Sequence, residues 1–270
     1  MFASPEYKCF QIFNLHIMKK MFYLSLLIAL IAQTGCAPTV SDVLKNYESE
    51  FKGKRNQFKL IADSLPMNSS VKGNSSCTGT TPAMIFNEKK KQFNTEIVMF
   101  EQLLDPDAEP EMDLLLSNDL LVAIQWTGSK SLLSPSVLDD NGTDMEATLK
   151  AALKYRYLVI NRVVSLSQPE VIDEKNFTRG QVTIETFVVD MANNKPLCSF
   201  TVSANSPSDL SGIPVSRTTS YTKRRKVRVI PAEPKEVQLK KAARSIMWEE
   251  ARRSMMTTLK KLTNGDIELE

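Results

Sequence analysis

The sequence predicts an α+β fold: a small antiparallel sheet of three or more strands, packed by helices and closed by a long C-terminal helix. Three observations carry that expectation. Tyr157 to Leu166, YLVINRVVSL, is dense in β-branched residues and has the composition of a well-buried strand. Gln181 to Val189 and Leu197 to Ala204 alternate apolar and polar residues on either side of DMANNKP, Asp190 to Pro196, whose composition is that of a turn. Glu236 to Leu262 repeats Leu239, Ala243, Met247, Ala251, Met255 and Leu259 at four-residue spacing, the apolar stripe of a long helix that Asn264-Gly265 ends.

The N-terminal part sets the compartment. Lys19 and Lys20 precede an apolar run, Met21 to Ala32, broken only by Ser25, and Gln33-Thr34-Gly35 leads into Cys36. A positive start, a short apolar run and a small residue before the cut are the parts of a secretory signal. The run is shorter than the roughly 20 apolar residues of a membrane-spanning helix. Gly35-Cys36 at its end resembles the lipobox of bacterial lipoproteins, with Gln33 standing where that family usually has an aliphatic residue. The resemblance implies cleavage before Cys36, acylation of that cysteine, and anchoring to the envelope membrane through its acyl groups. Ala37 in place of Asp leans the expectation toward the outer membrane, facing the periplasm. Read from the residues alone, a buried or spanning helix with an incidental cysteine is the alternative.

These signals divide the chain. Residues 1–17 precede the charged start and fit an over-extended start, with Met18 as the initiator. Residues 18–35 are the signal, 36–64 a tether and N-terminal helix, and 65–270 a single α+β soluble domain. Cleavage removes Lys8, Lys19, Lys20 and Glu6, leaving 31 basic and 30 acidic residues, a balance that calls for no nucleic-acid partner. It also removes His16, the only histidine, and with it Ser-His-Asp and Cys-His catalysis. Cys9 goes with the leader and Cys36 takes the lipid. Cys77 and Cys198 are then expected to pair in an oxidising compartment, two unpaired thiols being the alternative.

The remaining elements follow in order. Ser41 is the expected N-cap of a helix to about Asp63, with Leu44, Tyr47, Phe51, Phe58 and Ile61 on one side and Gly53 weakening its middle. Leu65 to Pro82 is a Ser-, Gly- and Asn-rich loop carrying Cys77, and Lys89-Lys90-Lys91 a solvated charge run. Thr95 to Leu104 leans to helix, because Ile97, Phe100, Leu103 and Leu104 share a helical face. Asp105 to Asp113, DPDAEPEMD, offers carboxylates but lacks the glycine turn and spacing of a calcium loop. Asp119 to Trp126 is a short apolar segment. Thr143 with Glu146 has the spacing of a capping box at the head of a helix over 143–155.

The sharpest surface feature is basic. Lys223, Arg224, Arg225, Lys226 and Arg228 put five charges into six residues. Such a cluster suits an anionic envelope ligand: a lipid headgroup, lipopolysaccharide phosphate, a cell-wall polymer or an acidic protein face. It equally suits a solvated edge that discourages strand pairing. Lys240, Lys241, Arg244, Arg252 and Arg253 extend it along the last helix in either reading. Trp126 and Trp248 could stack on a sugar, although their apolar helical surroundings favour core packing. No nucleophile elbow, P-loop, dinucleotide fingerprint or C-x-x-C stands in the sequence.

The succession of helix 143–155, strand Tyr157-Leu158-Val159-Ile160, hairpin Phe187-Val188-Val189-Asp190 to Pro196-Leu197-Cys198-Ser199, and final helix resembles small α/β domains of envelope lipoproteins and periplasmic proteins. The curli-secretion protein, the penicillin-binding-protein activators and the N-terminal domain of TolB are of this kind. That resemblance covers about a quarter of the chain and implies work through protein–protein contacts. The expectation is therefore a lipid-anchored, non-enzymatic envelope protein without cofactor or metal, acting as a scaffold on an unidentified protein partner. A binder of anionic lipid or glycan through residues 223–228, and a hydrolase without a recognised motif, are the other two readings.

Overall fold

The computed structural model describes residues 37–66, 77, 83–108, 119–128, 133, 135–171, 177–211, 213, 218–223, 226–231 and 233–268. The signal segment, Cys36, most of the 65–82 loop, the second half of the acidic loop, and Arg224 and Arg225 lie outside these residues. The fold is α+β, and four strands form its centre.

Helix α1 (Val40–Ser64) begins two residues earlier than its sequence signals suggest. Thr39, not Ser41, caps it: its hydroxyl accepts from the Asp42 amide at 3.2 Å, and the Asp42 carboxylate accepts from the Thr39 amide at 3.3 Å. An aspartate three residues after the cap thus closes the reciprocal pair usually made by glutamate. Leu44, Phe51, Phe58 and Ile61 are buried as their spacing predicts. They pack with sheet residues Val98, Leu158, Ile160, Phe187 and Val189, so α1 is a core helix and not a stalk.

A small hairpin, β1 (Ile85–Asn87) and β2 (Gln92–Phe93), precedes β3 (Thr95–Met99) and the short helix α2 (Phe100–Leu104). Here the helical expectation for Thr95 to Leu104 fails. The first half is a strand buried on both faces, paired in parallel with β4. The second half turns helical where the Gln102 side chain accepts from the Met99 amide at 2.9 Å. The apparent helical face ran across that junction. Helices α3 (Asp119–Gly128), α4 (Pro135–Leu138) and α5 (Thr143–Ala152) follow.

The capping box expected at Thr143 is also absent. Gly142 is the N-cap residue and offers no side chain, while the Thr143 amide and hydroxyl both donate to Asn141 Oδ1. Glu146 pairs with Lys150 at 2.7 Å instead. Gly142 itself sits in a close crossing. A Cβ at position 142 would lie 2.8 Å from the Thr39 carbonyl and 2.9 Å from that of Pro38, where the chain entering α1 crosses the start of α5.

Strand β4 (Tyr157–Ser167) leads through the short pair β5 (Glu170–Val171) and β6 (Phe177–Thr178) to β7 (Gln181–Asp190) and β8 (Lys195–Asn205). The main sheet has the order β3-β4-β7-β8. Its last three strands form the expected antiparallel meander, but β3 joins in parallel, so the sheet is mixed and not purely antiparallel. The hairpin turn is held by Asp190, whose carboxylate accepts from the Ala192 amide and the Asn193 side chain, both at 2.9 Å. Asn194 completes the turn at φ 52°, a conformation asparagine tolerates better than most residues.

A separate ribbon, β9 (Thr218–Lys223) with β10 (Lys226–Pro231), precedes helix α6 (Lys235–Thr263) and β11 (Asp266–Glu268). Asn264 ends α6 in the left-handed conformation, φ 52°. β11 then pairs in parallel with β1, making a second sheet of order β11-β1-β2. Lys89 and Lys90, expected as freely solvated charges, reach Glu268 at 2.7 Å and Asp266 at 2.9 Å.

The molecule has three layers. Met247, Trp248, Ala251, Met255, Met256 and Leu259 of α6 cover one face of the sheet. α1, α3 and α5 cover the other, with α5 contributing Leu149 and Ala152. The 143–155 helix was expected to cover the sheet directly, yet α1 and α3 supply most of that layer.

Gly53 lies on the exposed side of α1, and a Cβ there meets nothing within 4 Å. Glycine costs roughly 0.5–1 kcal/mol against alanine inside a helix. Gly53→Ala is therefore expected to raise the unfolding free energy by about that amount, measured by denaturant titration.

Candidate functional site

Alternation along the central strands sends charged side chains inward as well as apolar ones. Arg162 on β4 lies opposite Glu185 on β7, and both point to the α1 side of the sheet. Glu185 is fully buried; its carboxylate accepts from Arg162 Nη2 at 2.5 Å and from Nε at 3.2 Å. The guanidinium lies 5.2 Å from the Phe187 ring centroid and 5.7 Å from that of Phe100, and Nη1 donates to the Pro66 carbonyl at 2.7 Å. One arginine thus ties β4, β7, α2 and the chain leaving α1. On the α6 side of the same strands, Thr186 donates to Asn161 at 2.8 Å. Removing one partner of a buried pair leaves a charge unmatched, at a cost of about 3–5 kcal/mol. A second pair, Arg156 with Asp190 at 2.7 Å, closes the other end of the meander.

Glu96 on β3 has no charged partner of opposite sign in these contacts. It is fully buried, and its two oxygens accept from the Leu120 and Leu121 amides, each at 3.4 Å. These are orphan donors at the start of α3. Burial holds the Glu96 carboxyl well above the usual range; nearby Asp119 adds to the shift, and the two amides oppose it. Asp119 in turn accepts from the Tyr155 hydroxyl at 3.1 Å. The sequence carried a trace of these groups: Arg162, Glu185 and Glu96 interrupt otherwise apolar strand segments. Alternation separates Glu185 from Val182, Ile184 and Val188, but it does not tell that both faces of the strand are covered.

Clefts open on the described surface, and two are bounded by described residues. One, of about 400 Å³, runs between α1 and α3 past Lys52, Arg55, Lys59 and Thr127. Its central cation, Arg55, is engaged by Asp107 at 3.2 Å and Asp105 at 3.7 Å, which is where the first acidic residues of the proline-rich loop go. The other, of about 490 Å³, lies where β8 meets α6 and the 205–209 loop. There Arg179 donates twice to the Ser206 carbonyl, at 2.9 and 3.0 Å, and Asp209 accepts from Ser211. Among the described residues, no group of three or more acidic, cysteine or histidine side chains is placed to hold a metal ion.

The residues singled out in the sequence are separated by the fold. Cys77 and Cys198 lie at disulfide distance, Cα to Cα 4.9 Å, across 121 residues of sequence, and tie the 65–82 region to β8. Trp248 is 7% exposed in the α6 core, and Trp126 packs half-buried behind α1. Lys223, Lys226 and Arg228 fall on the β9–β10 ribbon. Three of the five cations expected to extend that cluster along α6 are drawn elsewhere. Lys241 pairs with Glu233 at 2.6 Å, Arg252 with Glu88 at 3.3 Å and Arg253 with Glu249 at 3.2 Å. No helix among the described residues is long and apolar enough to cross a membrane. No protein-family model matches the chain, and a search of characterised proteins returns no match.

Two outcomes follow from this geometry. Because the folded state favours protonated Glu96, its contribution is fully present below the unfolded-state pKa of about 4.3 and is lost as pH rises toward the raised folded value. Glu96→Gln should flatten the decline in stability as pH rises above the unfolded-state value and leave the variant at least as stable as the parent at neutral pH, measured by denaturant unfolding from acid to neutral pH. Cys198→Ser should cost about 2–5 kcal/mol, and reductant should lower the parent protein to the same midpoint; a parent midpoint insensitive to reductant would deny the bond a structural role.

Proposed function

We propose that this protein is a lipid-anchored component of the bacterial cell envelope, facing the periplasm from the outer membrane and supporting an assembly there through protein–protein contacts, not catalysis. The observation that carries this reading is the proximity of Cys77 and Cys198 in a chain whose N-terminal segment resembles a lipoprotein signal. Disulfides persist in oxidising compartments, and export past the inner membrane supplies one. A non-enzymatic role is supported by what the buried ionisable groups do. Glu96 pins α3, Glu185 neutralises Arg162, and Asp190 closes a hairpin with Arg156. Each is committed to holding elements together.

Cys36→Ser is expected to move the protein from the membrane fraction to the soluble fraction and to abolish incorporation of labelled fatty acid. Retention in the membrane with an uncleaved N-terminus overturns the anchoring reading. Crosslinking in intact cells, followed by mass spectrometry of the purified adducts, is expected to return one defined set of envelope proteins. Recovery of the uncrosslinked chain alone overturns the scaffolding role.

A further inference from the structure

From Phe51 to Ala62, α1 carries the cations Lys52, Lys54, Arg55 and Lys59 and no acidic residue. Lys54 turns away from the others: it is half-buried and donates to Gln57, which reaches Asn194 in the hairpin turn. Lys52, Arg55 and Lys59 stand three and four residues apart, the spacing of one helical face. All three line the cleft between α1 and α3, with Glu48 at its N-terminal end. Phe51 and Ile124, which also line it, are each 1% exposed and give it apolar walls. The guanidinium of Arg55 lies against the end of α3, where a Cβ on Gly128 would stand 3.1 Å from Nη1.

The three cations are not equally engaged. Arg55 meets Asp107 at 3.2 Å and Asp105 at 3.7 Å. Lys52 and Lys59 are exposed, and among the described residues neither pairs with a carboxylate. A cleft lined mostly by cations over apolar walls focuses its field and draws in the opposite charge.

The spacing selects the kind of anion. A rise of 1.5 Å per residue sets Lys52 and Lys59 about 10 Å apart along α1, with Arg55 between them. Cations that converge on a point suit one small anion; cations strung along an axis suit several carboxylates in a row. Alternate residues of an extended chain point the same way and stand about 6.6 Å apart, close to the intervals of about 4.5 and 6 Å between these cations. Asp105 and Asp107 are themselves two residues apart, and both reach Arg55.

We propose that the α1–α3 cleft receives an extended acidic segment of a protein partner, whose carboxylates meet Lys52 and Lys59 and displace Asp105 and Asp107 from Arg55. The proposal deepens the scaffolding reading and rests on it for the partner being a protein. Asp105 and Asp107 then act as an internal competitor that a partner must outbid in charge.

The test is binding of a synthetic octapeptide of alternating Glu and Ser to the full chain in detergent, followed by the anisotropy of an uncharged dye on the peptide. Lys52→Gln with Lys59→Gln is expected to weaken binding on the order of tenfold, each exposed ion pair being worth a few-fold. Asp105→Asn with Asp107→Asn is expected to tighten it a few-fold, because Arg55 is released. Lys240→Gln with Lys261→Gln removes the same charge from α6 and should change it by less than about twofold. Raising the ionic strength from about 0.05 to about 0.5 M should weaken binding to the parent, and a Gln-Ser peptide should not bind. Thermal melting of each variant checks that the core is intact. A lysine variant that binds like the parent, an α6 variant that loses as much, no tightening without the two aspartates, or no binding of the acidic peptide overturns the proposal. Pyrophosphate that displaces the peptide at the peptide's own concentration reassigns the cleft to a small polyanion and also overturns it. Crosslinked envelope adducts from a protein that binds no acidic peptide would reject the cleft and leave the scaffolding role standing.

Discussion

Burial of the four-stranded sheet on both faces is the constraint on which the rest of this structure depends. A sheet covered on one side can send every charged residue outward. A sheet covered by α6 on one side and by α1, α3 and α5 on the other has no outward face along its middle. Every polar side chain on those strands must therefore find a partner inside, because a buried polar group without one costs far more than its bond returns. Arg162 and Glu185 meet that demand together, and Asn161 is bonded by Thr186 behind them. Glu96 meets it by accepting from the first amides of α3. The polar contacts of the core thus also determine where its helices start.

That dependence explains how α1 and the C-terminal segment come to belong to the same body. α1 contributes Leu44, Phe51, Phe58 and Ile61 to a cluster with β3, β4 and β7, and Gln57 donates to Asn194 in the hairpin turn at 2.7 Å. At the other end, β11 pairs with β1, so the last described residues are held by a strand near the start of the domain. The exposed lysine pairs there add little, since surface ion pairs are typically worth under about 1 kcal/mol. The apolar cluster with Met84, Phe86 and Ile267 holds that join. The β9–β10 ribbon stands apart from this logic: its two strands pair with each other and with no strand of the other sheets.

Much of the architecture was legible in the residues because the relevant signals are local. The period of the apolar residues in α6, the β-branched run of β4 and the alternation of β7 and β8 each follow from the geometry of one element. Where the reading failed, two elements met or a distant chain intervened. Thr95 to Leu104 looked helical because one apolar stripe continued across a strand-to-helix junction. The Thr143–Glu146 box did not form because Asn141 takes the amide and hydroxyl of Thr143 and Lys150 takes the Glu146 carboxylate. The Arg162–Glu185 pair was not legible because nothing in either strand announces a helix packed above that face.

By itself the sequence determined the helix and strand periods, the hairpin turn at Asp190, the uneven distribution of basic charge and the pairing of Cys77 with Cys198. These depend on neighbours within a few residues, or on composition alone. Only the tertiary structure decided that β3 enters the sheet in parallel, that α1 and α3 cover its second face, that Arg162 and Glu96 are interior groups, and that β9 and β10 pair in a ribbon separate from the main sheet. Those outcomes rest on pairings between residues far apart in sequence, where the energy of burial chooses the partner and no local pattern encodes it.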